Sequence, residues 1–117
     1  MLLVDDNAWV RESLSVLLSG TDDLLVVGEC ADGAQVLEAV SALRPDVVLM
    51  DVQMPVVSGL EATRRLRAAG APTRVIITGT LAPERAAQQA AEAGATAVAP
   101  KGTSPELLLE TIRRVTG

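Results

Sequence analysis

The sequence predicts an α/β fold in which a doubly wound parallel sheet of five strands is covered by helices on both faces. Short apolar runs alternate along the chain with segments that repeat apolar residues at helical spacing. Most of these runs are apolar at successive positions, which is typical of parallel strands buried on both faces. Right-handed crossovers between such strands place helices on both sides of the sheet. The predicted strands are Leu2–Val4, Leu24–Val27, Val47–Met50, Arg74–Ile77 and Thr96–Ala99.

The helices between these strands are predicted from apolar spacing and from the residues that begin and end them. Asp6 or Asn7 can cap a first helix near Ala8, and Ser104 before Pro105 is a typical start for the fifth. The fourth segment, Pro83 to Ala95, is rich in alanine and lacks larger aliphatic residues. The remaining signals are the stripe Val10, Leu14, Leu17, Leu18 in the first helix, Val36, Leu37, Val40, Leu43 in the second, Leu108, Ile112, Val115 in the fifth, helix-ending Gly20, Gly70, Gly94, and the break at Pro45.

Composition excludes several functional classes. The 117 residues carry 10 basic and 15 acidic side chains, and the net charge of −5 argues against nucleic-acid binding by this segment. With no His and one Cys, zinc fingers, disulfide frameworks and Ser-His or Cys-His catalysis are excluded. No targeting or membrane segment is recognisable, so we expect a cytoplasmic protein that does not bind membranes.

Charged and hydroxyl side chains follow the predicted strands at the edge where parallel α/β sheets bind ligands. Asp5 and Asp6 follow the first strand, Asp51 the third, Thr78 the fourth, and Lys101, the only lysine, the fifth. Each alone has a simple structural explanation, such as a helix cap, an Asx turn or a solvated strand end. Together, three carboxylates repel one another unless a cation neutralises them, and oxygen ligands favour Mg²⁺ or Mn²⁺.

Four segments resemble the receiver domains of bacterial two-component response regulators: LLVDDN (2–7), DVVLMDVQMPVVSGLEATRRLR (46–67), VIITGT (75–80) and EAGATAVAPKG (92–102). The resemblance implies the flavodoxin-like receiver fold with strand order 2-1-3-4-5. It also implies that Asp51 accepts a phosphoryl group from a sensor histidine kinase. The implied metal ligands are Asp6, Asp51, the backbone carbonyl of Gln53 and, through water, Asp5; Thr78 and Lys101 are the implied phosphoryl contacts.

The segment LLVVGECADG and the residue after Lys101 resemble receivers of the NarL/FixJ (LuxR-type) subfamily, which usually precede a helix-turn-helix domain. We therefore expect residues 1–117 to be one receiver domain that controls transcription, with any DNA-binding output domain outside this chain. A stand-alone receiver that acts by protein binding or phosphorelay is the alternative. A phosphohydrolase of the haloacid-dehalogenase type is disfavoured, since its second acid would occupy the position of Gln53. The resemblance implies a signalling domain rather than an enzyme acting on other substrates.

Two features depart from the family pattern or extend it. Val98 occupies a position that is usually aromatic and rotates inward on activation, so an aromatic switch is not available. Trp9, Leu107 and Leu109 lie off the main apolar stripes of the first and fifth helices. Either these two helices pack on each other and bury those residues, or the residues form a homodimer surface.

Overall fold

The computed structural model describes residues 1–79, 83–100 and 102–117, with the backbone alone at 83, 84 and 86. Strands and helices alternate along the chain, and a short 3₁₀ turn over Gly33–Gln35 precedes the second helix. The strands are β1 (Leu2–Val4), β2 (Gly28–Cys30), β3 (Val47–Asp51), β4 (Arg74–Gly79) and β5 (Ala97–Pro100). The helices are α1 (Ala8–Ser19), α2 (Val36–Leu43), α3 (Gly59–Ala68), α4 (Pro83–Ala93) and α5 (Pro105–Thr116).

The five strands form one parallel sheet in the order β2-β1-β3-β4-β5, which confirms the predicted topology. Strand β1 lies between β2 and β3, with Val4 opposite Cys30 on one side and Met50 on the other. Strands β3 and β4 are in register so that Asp51 lies opposite Thr78. The carboxyl ends of β1, β3 and β4 therefore meet at one edge of the sheet.

Two apolar layers cover the sheet, as expected for strands that are buried on both faces. Successive residues of β3 alternate between the layers, since Val48 and Met50 belong to one and Val47 and Leu49 to the other. The first layer includes residues of α2, α3 and α4, and the second includes residues of α1 and α5. Among the described helices, none is long and apolar enough to cross a membrane.

The predicted second strand was wrong, because the ladder begins at Gly28 and not at Leu24. Leu2 of β1 pairs with Gly28, so the segment 24–27 lies beyond the start of β1. The Val27 N–H donates to the Met1 carbonyl over 2.8 Å, and the Met1 amino group donates to the Leu25 carbonyl. The apolar run therefore packs at the end of the sheet without extending the ladder.

Local capping signals gave most helix boundaries correctly. The Asn7 side chain caps α1 by accepting the Trp9 N–H over 2.9 Å, so Asn7 and not Asp6 is the cap. The Ser104 hydroxyl caps α5, with Pro105 as its first residue. Three bonds of Arg67 had no signal in the sequence: its guanidinium donates to the backbone carbonyls of Gly94, Ala71 and Thr73 over 2.8, 2.8 and 2.7 Å.

Candidate functional site

Three carboxylates converge where β1 and β3 end. One oxygen from each of Asp5, Asp6 and Asp51 lies within 4.8 Å of the other two. Asp5 and Asp51 are 3% and 2% exposed, whereas Asp6 is open to solvent. Two buried carboxylates therefore lie beside an exposed third, and we call this group of three the acidic recess.

Backbone contacts and one arginine fix Asp5. Its N–H donates to the Cys30 carbonyl over 3.1 Å, which continues the pairing of β1 with β2. Its Oδ1 accepts the Asn7 N–H over 2.9 Å, and its carbonyl accepts Arg11 Nη1 over 2.6 Å. Arg11 also pairs with Glu29 over 3.1 Å. Sequence reasoning missed this role of Arg11, because a lone arginine on a helix gives no indication of which carbonyl it reaches.

Asp51 is fixed by the neighbouring strand and by the loop that follows it. The Val52 N–H donates to the Thr78 carbonyl over 2.8 Å, which extends the pairing of β3 with β4 past Asp51. The Gln53 N–H donates to Asp51 Oδ1 over 3.3 Å. Thr78, directly opposite Asp51 in the ladder, is half-buried. The Gln53 N–H therefore contacts the carboxylate of Asp51, and Thr78 lies opposite Asp51 in the ladder.

Lys101, which the resemblance places near the phosphoryl group, lies outside the described residues. The residue before it, Pro100, ends β5 and lies opposite Gly79. Gly79 in turn follows Thr78 at the same edge of the sheet.

Near the acidic recess lies Cys30, a buried thiol at the end of β2. Burial raises the pKa of the Cys30 thiol above its usual value, and the positive charge of Arg11 opposes this shift. The thiol is therefore held in its neutral form, which is a poor nucleophile and a poor metal ligand.

The recess fits a divalent cation that prefers oxygen. Carboxylate oxygens within 4.8 Å of one another come from three side chains, and two of the carboxylates are withdrawn from water. Hard oxygen donors of high negative charge suit Mg²⁺ or Mn²⁺ better than a soft metal. Asp5, Asp6 and Asp51 would hold such an ion.

The other residues singled out in the sequence differ in how deeply the fold buries them. Val98 is half-buried in β5 and packs against the core layer that includes α4 residues. Trp9 and Leu107 are 74% and 52% exposed, so packing within the chain does not bury them. Leu109 is half-buried against the core layer of α1 and α5, where packing does account for it.

Comparison with protein families gives one match that spans nearly the whole chain. Residues 1–113 match the response regulator receiver domain. The response regulator GacA of Pseudomonas aeruginosa is 36% identical over 115 residues, which are 98% of this chain and 54% of that protein. The transcriptional regulatory protein BtsR of Salmonella typhi is 46% identical over 78 residues, which are 67% of this chain and 33% of that protein. The chain thus spans between a third and about half of the length of these curated relatives.

Solved structures agree with this match. The receiver domain of the response regulator NarL from Mycobacterium tuberculosis superposes with a TM-score of 0.92 at 30% identity, covering 98% of this chain and 93% of that one. The similarity of both sequence and structure therefore extends over the sheet and the edge that carries the three carboxylates.

Proposed function

The chain belongs to the response regulator receiver domain family, and from that membership we propose that it accepts a phosphoryl group on Asp51 from a sensor histidine kinase. The observation that carries the proposal is the buried carboxylate of Asp51 beside Asp5 and Asp6 at the carboxyl edge of the sheet. An oxygen of Asp51 forms the new bond to phosphorus while the phosphorus–nitrogen bond of the donor phosphohistidine breaks. The donor nitrogen keeps the electron pair and takes up a proton.

The neighbouring residues receive roles that follow from charge and position. Asp6, Asp51 and the Gln53 carbonyl are the proposed direct ligands of Mg²⁺ or Mn²⁺, with Asp5 acting through water. A bound divalent cation supplies positive charge against the phosphoryl oxygens. The Thr78 hydroxyl and the Lys101 ammonium are the proposed phosphoryl contacts. For Thr78 the support is its position opposite Asp51 in the ladder.

The test is phosphorylation with a small-molecule donor. Acetyl phosphate and Mg²⁺ should add one phosphoryl mass to the wild-type protein, as measured by intact mass spectrometry. Asp51→Asn should abolish the addition, because an amide cannot form the acyl phosphate. Asp46→Asn is the matched control, since Asp46 is an exposed aspartate just before the opposite end of the same strand. Equal labelling of Asp51→Asn and wild type would refute the assignment.

We further propose that phosphorylation controls transcription in the cytoplasm through a helix-turn-helix DNA-binding domain outside this chain. Similarity to BtsR, a transcriptional regulatory protein, supports the control of transcription. A stand-alone receiver is the second candidate, favoured if no such domain follows. The sequence that follows residue 117 in the gene decides between them: a basic helix-turn-helix would support transcription, and a stop codon at that point would contradict it.

We also propose that the receiver forms a homodimer through α1 and α5. The support is the exposure of Trp9 on α1 and Leu107 on α5, two large apolar side chains that the fold leaves in contact with water. Leu107→Glu should weaken self-association measured by sedimentation equilibrium of the phosphorylated protein. Leu37→Glu, at an exposed leucine of α2, is the matched control. If both variants self-associate as strongly as the wild type, the proposed dimer surface on α1 and α5 is refuted.

A further inference from the structure

The turn between β2 and α2 is bonded to the loop that follows Asp51. The carboxylate of Asp32 accepts three backbone N–H groups, of which only that of Ala34 is local, at 2.8 Å from Oδ1. The other two cross to the β3–α3 loop (residues 52–58): Val57 donates to Oδ1 and Val56 to Oδ2, each over 3.3 Å. One side chain thus joins two loops that are about two dozen residues apart in sequence.

The two loops are also in backbone contact. A Cβ atom on Gly33, the residue after Asp32, would lie 2.3 Å from the Val57 carbonyl oxygen, so only glycine fits there. Val57 is itself buried. The position of the β3–α3 loop is therefore set by the β2–α2 turn as well as by the strand that precedes the loop.

The other end of this loop is attached to the acidic recess. The Val52 N–H bonds to Thr78, and the Gly59 N–H returns to the Val52 carbonyl over 2.9 Å. Gln53, whose N–H donates to Asp51, lies between this fixed end and the residues that Asp32 bonds. Without Asp32, the stretch from Gln53 to Val57 would lose its side-chain attachment on the far side.

We propose that Asp32 is a positioning residue for the phosphoryl-transfer site, because it bonds to the β3–α3 loop that carries Gln53, whose carbonyl would be a ligand of the metal. This inference rests on the proposed phosphorylation of Asp51 with Mg²⁺. Removing a group that bonds to a metal ligand and orients it commonly weakens metal affinity by about tenfold or more. Asp32 acts on the ligand through the backbone and is not a ligand itself.

A purely structural role predicts something different. If Asp32 only caps the 3₁₀ turn at Ala34, its removal should lower the free energy of unfolding and leave the metal site unchanged. Ser58 supplies the matched control, because its hydroxyl caps α3 by accepting the Glu61 N–H over 3.1 Å at the end of the same loop. Ser58→Ala removes one cap bond without removing a bond to residues 52–57.

The experiment measures the Mg²⁺ dissociation constant by calorimetry, with the labelling rate by acetyl phosphate as a second readout. We expect Asp32→Ala to raise the dissociation constant by about tenfold. Asp32→Asn should have an intermediate effect, because it keeps one acceptor oxygen but turns an NH₂ group toward one of the N–H donors. Asp32→Asn also replaces Asp32→Ala as the test variant if Asp32→Ala does not fold. Ser58→Ala should bind Mg²⁺ within about twofold of wild type.

The outcomes separate this inference from the function on which it rests. If the wild-type protein binds Mg²⁺ and both Asp32 variants bind it with the same affinity, the positioning role is overturned and the assignment of Asp51 stays intact. An equal loss of affinity in Ser58→Ala also overturns it, because any loss of capping would then suffice. A wild-type protein that neither binds Mg²⁺ nor accepts phosphate refutes the proposed function, and the positioning role with it.

Discussion

Removing one charge from the acidic recess should stabilise the protein when no divalent metal is present. Asp6 is the suitable position, because its side chain is exposed and Asp6→Asn changes charge without disturbing the core. At the upper limit of 4.8 Å between the oxygens and an effective dielectric constant of about 20, Coulomb's law gives roughly 3.5 kcal/mol of repulsion for one pair of unscreened carboxylates. Solvent and salt screen an exposed charge strongly, so we expect a net gain of about 1 kcal/mol.

Urea unfolding in EDTA, followed by circular dichroism, measures this gain. An increase of about 1 kcal/mol in the free energy of unfolding corresponds to a rise of roughly 4 °C in Tm for a chain of this size. Asp22→Asn is the matched control, because it changes the net charge equally at an exposed site outside the recess. Asp6→Asn that is no more stable than Asp22→Asn would refute the argument from repulsion.

The same variant tests the metal site. With Mg²⁺ at 100 times its dissociation constant, a ligand that binds only the folded state stabilises it by about 2.7 kcal/mol. Wild type and Asp22→Asn should show this gain, and Asp6→Asn should lose most of it. An equal Mg²⁺ response in all three proteins would remove Asp6 from the proposed ligands.

Three further predictions concern the structure around the site. Cys30 should react with a thiol reagent only on unfolding, because its side chain is buried. Its pKa is raised in the folded state, so the stability that the thiol contributes should be complete below pH 9 and fall as the pH rises further. In urea unfolding at pH 8 and pH 10, the free energy of unfolding should therefore decrease less between the two pH values for Cys30→Ala than for wild type. Arg67→Met should cost about 2 kcal/mol in urea unfolding, because it leaves three carbonyls without their charged donor, and a loss below 0.5 kcal/mol would contradict this. Gly59→Ala should destabilise the fold and slow phosphorylation, because its Cβ would lie 2.1 Å from the Asp51 carbonyl oxygen. Gly70→Ala is the control: its Cβ would meet no atom within 4 Å, so the phosphorylation rate should be unchanged.

Sheet topology and the acidic recess were predictable because short-range signals determine both. Runs of apolar residues identify parallel strands, and the rule that their carboxyl ends share an edge brings Asp5, Asp6 and Asp51 together. The second strand was misplaced because β2 is Gly-Glu-Cys and has no apolar run, whereas the preceding residues 24–27 do. The apolar run did not mark a strand buried on both faces, because Leu24 and Val26 pack against the core while Leu25 and Val27 are exposed.

The contacts that hold the site could not be predicted in the same way. Asp32 before Gly33 indicates a turn or a cap, and its bond to Ala34 is of that kind. Its bonds to Val56 and Val57 depend on how two loops approach each other after folding. Arg11 and its contact with the Asp5 carbonyl are a second case. A side chain that bonds to distant backbone has no periodicity in the sequence, so only the structure identifies it.

The side of the sheet that faces α4 limits how phosphorylation can be transmitted. Val98 lies on β5 against the core layer to which α4 contributes Ala90, and both side chains are small. A valine has one strongly preferred rotamer and no ring to move between a buried and an exposed position. If Asp51 is phosphorylated as proposed, we expect the response to begin at Thr78, because Thr78 lies opposite Asp51 in the neighbouring strand β4. The buried side chains described for α4 are the alanines Ala90 and Ala93, which bury little area, so we expect a small displacement of β4 to change how α4 packs.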